Sequence, residues 1–112
     1  MVLSHRQEPH VPPPIRITEV GPRDGLQNEP GIVATESKIA LVNALSQCGV
    51  AEIEVGSFVS PRAIPQLADS DEVFQRIERR PGVIYSALVP NERGLERARA
   101  AAVDKIAVFT AT

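Results

Sequence analysis

The sequence predicts an α/β fold: the first half of a (β/α)8 barrel of the TIM type, with about four parallel strands and three helices. Three observations predict it. Apolar strand-like runs alternate strictly with helix-like stretches, and alternation with helical crossovers requires a parallel sheet. The unit recurs roughly every 30 residues, which is what a barrel of about 250 residues gives when divided by eight. No Gly-rich dinucleotide fingerprint follows any strand, so an open doubly wound sheet has less support than a barrel.

Taken in order, residues 1–14 carry His5, Arg6, Glu8, His10 and the run Pro12 to Pro14. They lack the apolar stretch of a secretory signal, and one Arg, an acid and prolines make a poor mitochondrial presequence. They are expected to be a disordered lead, with residues 15–112 forming the N-terminal half of a TIM-barrel domain. Ile15 to Val20 reads as the first strand. A loop from Gly21 to Ala34 follows, punctuated by Pro22, Gly25, Pro30 and Gly31. Thr35 is placed as the N-cap of a helix from Glu36 to about Gln47. Ile39, Val42 and Leu45 supply its apolar stripe, with Leu41 and Cys48 beside them, and Gly49 ends it. Cys48 is expected to be a small hydrophobe on that helix face.

Ala51 to Val55 is the second strand, ended by Gly56. After a loop holding Pro61 and Pro65, Asp69 or Ser70 caps a helix running through Arg79, with Val73, Phe74 and Ile77 on one face. Val83 to Val89 is the third strand, stopped by Pro90. Asn91 caps a helix to about Ala102, and Lys105 to Thr110 is the fourth strand. About half of the eight barrel units are present. The expectation is a fragment of a longer enzyme; the other possibility is a half-barrel that pairs with another chain.

Composition limits the function classes. The 112 residues are 43% hydrophobic and 23% charged with a formal net charge of −2, which gives no electrostatic case for nucleic acid or an anionic membrane. No apolar run approaches the roughly 20 residues that span a bilayer. The single cysteine makes no internal disulfide, so a reducing compartment, here the bacterial cytoplasm, is expected.

The chemistry concentrates in Glu19-Val20-Gly21-Pro22-Arg23-Asp24-Gly25-Leu26-Gln27-Asn28-Glu29, a Gly/Pro-rich turn directly after the first strand. Strand ends are where α/β barrels place their reactive groups. Arg23 offers a donor fork to a developing oxyanion, and Asp24 offers an oxygen ligand to a hard cation. In Glu52-Ile53-Glu54-Val55 the acids and the apolar residues point to opposite faces. If Ile53 and Val55 pack under the helices, Glu54 points into the barrel, where an unpaired carboxylate is costly and Arg23 is the obvious partner.

The eleven-residue run resembles the signature of the 3-hydroxy-3-methylglutaryl-CoA lyases, within the metal-dependent TIM-barrel lyases and acyl-CoA synthases. Ser57-Phe58-Val59-Ser60-Pro61 is similar to the same branch. The resemblance spans Ile15 to Thr112. It implies divalent-metal-dependent cleavage of 3-hydroxy-3-methylglutaryl-CoA to acetyl-CoA and acetoacetate, as in leucine degradation, on Mg²⁺ or Mn²⁺. By that resemblance Arg23 holds the enolate and Glu54 holds Arg23, both catalytic, while Asp24 ligates the metal. Gln27 and Ser57 are candidate substrate contacts. The family's His-x-His ligands and loop cysteine have no counterpart here, so the chain alone is expected to be inactive. Full-length members imply a homodimer. Two alternatives stay open. One is a related condensing enzyme of the isopropylmalate- or citramalate-synthase kind, although Leu26 stands where those enzymes carry Glu. The other is a non-catalytic, self-associating half-barrel.

Overall fold

The computed structural model describes residues 15–108. The expected disordered lead, residues 1–14, lies outside the described residues, as does the Phe109–Thr110 end of the expected fourth strand. The elements are β1 (Thr18–Glu19), a wide helical turn of π type (Gly21–Gly25), α1 (Thr35–Ser46), β2 (Glu52–Ser57), a short 3-10 turn (Pro65–Leu67), α2 (Ser70–Arg76), β3 (Ile84–Leu88), α3 (Glu92–Ala100) and β4 (Lys105–Ala107).

All neighbouring strands are parallel, and the sheet order is β1-β2-β3-β4. Consecutive order matters because right-handed crossovers then place every helix on the same face. The core agrees. Val42 of α1, Val73 and Phe74 of α2 and Ala98 of α3 cluster with Ile53 and Val55 of β2 and Tyr85 and Ala87 of β3. A doubly wound sheet reverses its strand order and covers both faces; this one does neither.

The core is closed by specific polar contacts as well as apolar ones. The buried Tyr85 hydroxyl pairs with Ser46 Oγ at 2.8 Å and accepts the Arg80 backbone N–H at 2.8 Å, so it is fully used. Phe58 and Phe74 stack with centroids 5.7 Å apart. Gly56 lets the start of α2 press onto β2, since a Cβ there would stand 2.4 Å from Ser70 Oγ. Ser70 Oγ donates to Leu67 O at 2.8 Å and accepts Ser57 N–H at 3.1 Å.

The opposite face of the sheet is polar. Glu52 at the start of β2 is buried and accepts Lys105 Nζ of β4 at 3.0 Å, a bond that passes over the small Ser86 of β3. Burial opposes ionisation of Glu52. Hydrogen bonds from Lys105 and Ser86, with the charges of Lys105 and Arg16, outweigh it and hold the carboxyl below the usual carboxylate range.

Several local expectations are corrected. β1 is two residues long because it has a neighbour on one side only; Ile17 O accepts the Ala51 and Glu52 N–H groups, while Ile15 is 88% exposed. Ala34, not Thr35, occupies the N-cap of α1, and Thr35 Oγ1 donates instead to Asp69 Oδ2 at 2.6 Å. β2 runs through Gly56 to Ser57, with a register shift between Glu54 and Gly56. α2 stops at Arg76, three residues early. Ile77 turns extended and buries its side chain, Glu78 N–H donates to Asn43 Oδ1, and Arg79 reaches back to Phe74 O and Ala101 O. Cys48 lies past the end of α1 and is exposed. Asn91 does cap α3, accepting Gly94 N–H at 2.8 Å, and Gly49 follows α1 at φ 79°, as a helix stop requires.

Two stability measurements follow. Ile53→Ala removes a fully buried side chain and should lower the unfolding free energy by about 2–5 kcal/mol, whereas Ile15→Ala should stay within about 0.5 kcal/mol. Urea titration of both variants checks the contrast. Because the folded Glu52 pKa is lowered, its contribution is present above the unfolded carboxylate pKa of about 4.3 and is lost as pH falls through the lower folded value. Lys105→Met should therefore flatten or reverse the loss of stability in that acid window. An unchanged pH profile would contradict the assignment.

Candidate active site

The turn after β1 is shaped by its own backbone. Val20 O accepts both Arg23 N–H at 3.1 Å and Asp24 N–H at 2.7 Å, and Pro22 is buried beneath it. Glu19 Oε1 accepts Gly21 N–H at 2.9 Å, satisfying the first donor of the turn. This curl brings the Arg23 side chain to Glu54 of β2.

There Arg23 Nε donates to Glu54 Oε1 in a short, charge-assisted bond. The two side chains are 19% and 10% exposed, so the pair is largely withdrawn from water. Arg23 Nη1 makes two longer bonds, to Asp24 Oδ1 at 3.3 Å and Gln27 Oε1 at 3.4 Å. Arg23 Nη2 has no hydrogen-bond partner among the described residues. Three acceptors on one side thus orient the guanidinium and leave one nitrogen as a donor for something else.

Arg23, Asp24, Gln27 and Glu54 are therefore gathered in one place. Ser57 is not joined to them. Its hydroxyl is buried without a partner among the described residues, and its backbone N–H goes to Ser70.

The group fits a cation in part. Asp24 is 54% exposed, and only its Oδ1 is engaged, which leaves one carboxylate oxygen for a hard ion. No group of three His, Cys, Asp or Glu side chains that could hold a metal occurs among the described residues. Among the described residues, Asp24 is thus the one exposed carboxylate of this group with an oxygen left over for such an ion. The capping role of Glu19 is a contact that sequence reasoning missed; its place two residues before Gly21 is the signal that could have revealed it. No helix among the described residues is long and apolar enough to cross a membrane.

Comparison with known proteins adds an independent line. The HMGL-like family profile matches residues 14–112. The 3-hydroxy-3-isohexenylglutaryl-CoA/hydroxy-methylglutaryl-CoA lyase of Pseudomonas aeruginosa is 53% identical over 102 residues, covering 91% of this chain and 34% of the relative. The solved HMG-CoA lyase of Brucella melitensis is 59% identical with a TM-score of 0.83, over 85% of this chain and 34% of that one. The Acinetobacter baumannii HMG-CoA lyase, solved with coenzyme A and 3-methylmalate, is 49% identical with a TM-score of 0.82, over 83% and 30% respectively. The chain spans about a third of the length of these relatives. Its four parallel strands and their helices match the N-terminal part of the HMG-CoA lyase TIM barrels. On a family match running from residue 14 to residue 112, together with that fold, this chain belongs to the HMGL-like family.

Proposed function

We propose that this chain provides the enolate-holding part of a hydroxymethylglutaryl-CoA lyase active site. The observation that carries the reading is the Arg23 guanidinium, locked by Glu54 at the strand ends with Nη2 left without a partner among the described residues. In the reaction, the C3 hydroxyl of 3-hydroxy-3-methylglutaryl-CoA loses its proton and the C2–C3 bond breaks. The C3 oxygen becomes the ketone of acetoacetate, and the bonding electron pair moves onto the acetyl-CoA enolate, which takes a proton at C2. Negative charge develops on the thioester oxygen. Arg23 Nη2 is the donor for it, already oriented, so little reorganisation is needed as the charge forms.

Glu54 serves by holding Nε, which fixes the plane of the guanidinium, and Gln27 supports Nη1 while its own amide N–H₂ can face the substrate. Asp24 would hold a divalent cation, Mg²⁺ or Mn²⁺, through its outward oxygen, with the remaining ligands drawn from elsewhere. When bound, such an ion supplies positive charge against the developing alkoxide. Ser57, whose hydroxyl is buried without a partner among the described residues, is the further candidate substrate contact of this reading. The same reading places residues 15–112 in the first part of the catalytic barrel, in a homodimer in the bacterial cytoplasm. The bacterial relatives and the single cysteine support the compartment, and the homodimer rests on the family resemblance.

A chimera tests this directly. Residues 15–108 replace the matching third of the Pseudomonas aeruginosa lyase, and acetoacetate release is assayed with Mg²⁺. The chimera should turn over, and Arg23→Gln should lower kcat by on the order of 10²-fold or more with little change in KM. A folded chimera without activity, or an Arg23→Gln variant within a few-fold of its parent, sinks the proposal. In the same chimera Asp24→Asn should raise the Mn²⁺ concentration for half-saturation by about tenfold or more, at least the cost of losing an outer partner of a ligand. An unchanged metal titration removes Asp24 from the site.

A further inference from the structure

Lys38 is the fourth residue of α1 and is only 4% exposed, an expensive place for an ammonium group. It is compensated from one direction. Lys38 Nζ donates to Asp69 Oδ1 at 2.6 Å and, in a short bond, to the backbone carbonyl of Gln66. Asp69 is held in turn by Thr35 Oγ1. The start of α1 and the segment before α2 are thereby fastened together at Gln66.

The side chain of Gln66 points onward. Its Nε2 donates to Glu29 O at 3.2 Å. Glu29 closes the segment that begins at the reactive turn: Asn28 Nδ2 binds Asp24 O at 2.9 Å, and Glu29 N–H binds Leu26 O at 3.2 Å. Among the described residues, Gln66 supplies the one hydrogen bond that reaches residues 26–33 from outside the β1–α1 loop. The turn itself is gripped at Arg23 by Glu54, so without Gln66 the far half of the loop hangs from Arg23 alone and from the start of α1.

We propose that Gln66 is a positioning residue for the Arg23–Asp24 turn, tying its loop through Glu29 O to a base built on the buried Lys38–Asp69 pair. Glu29 O lies at the surface, where Gln66 takes the place of water as its donor, and Lys38 holds the Gln66 backbone from which that side chain reaches. The consequence for catalysis rests on the enolate-holding role given to Arg23. The mechanical part does not, and it is measured without turnover.

The test uses the full chain. Amide hydrogen exchange is followed by NMR together with the ¹⁵Nε resonance of Arg23, which reports its bond to Glu54. In Gln66→Leu, and in the same-shaped Gln66→Glu that lacks the donor, amides of residues 26–29 should exchange about five- to tenfold faster. The Arg23 ¹⁵Nε signal should shift or broaden, while the β2 and β3 amides keep their protection. Lys38→Met should reproduce the pattern and Lys38→Arg should largely restore it, a rescue that loss of packing alone does not predict. Unchanged exchange at residues 26–29 overturns the proposal. So does an unmoved Arg23 signal, or loss of protection spread evenly through α1 and β2. If the tether behaves as stated and the chimera is inactive, the positioning stands and the lyase reading fails.

Discussion

The contact between Arg23 and Glu54 is the constraint on which the rest of the site depends. Both groups are charged and largely removed from water, and such a pair is not a source of stability in itself, because desolvation offsets most of the attraction. Its value is directional. The Glu54 side chain is buried and so has little room to turn, and its bond to Nε restrains the plane of the guanidinium. Once that plane is set, Nη1 meets Asp24 and Gln27, and Nη2 keeps no hydrogen-bond partner among the described residues. Breaking the pair would leave a buried acid alone and a guanidinium free to rotate.

β2 makes this possible by dividing its labour between two faces. Ile53 and Val55 join the apolar core beneath the helices, while Glu52 and Glu54 point to the polar side and take cations from different neighbours. Glu52 reaches Lys105 across Ser86, near the strand starts, and Glu54 reaches Arg23 near the strand ends. Two successive inward acids are tolerated because each has its own partner. The register shift after Glu54 is followed by Gly56, which packs directly against Ser70 at the start of α2.

Much of this was legible from local patterns. Strand–helix alternation at roughly 30-residue spacing gave the parallel sheet, and alternation within Glu52-Ile53-Glu54-Val55 put Glu54 on the side where Arg23 meets it. The ends of elements were harder to read. α2 stops where Ile77 gains more by entering the core than by continuing a helix, and Thr35 leaves its capping role for Asp69, 34 residues away. The Lys38–Asp69–Gln66–Glu29 chain was invisible for the same reason. Its members are scattered along the sequence, and a lysine on a helix reads as a solvated residue until the fold buries it. Cys48 was misread because α1 ends before reaching it.

A double-mutant cycle on kcat, made in the active chimera with Arg23→Gln, Glu54→Gln and the pair together, tests the central claim most directly. If Glu54 acts only by holding Arg23, the double variant should be no slower than Arg23→Gln alone, because the second change removes support from a group already gone. Effects that multiply independently would show that Glu54 acts on the reaction by another route, and the directional role given to the ion pair would be wrong.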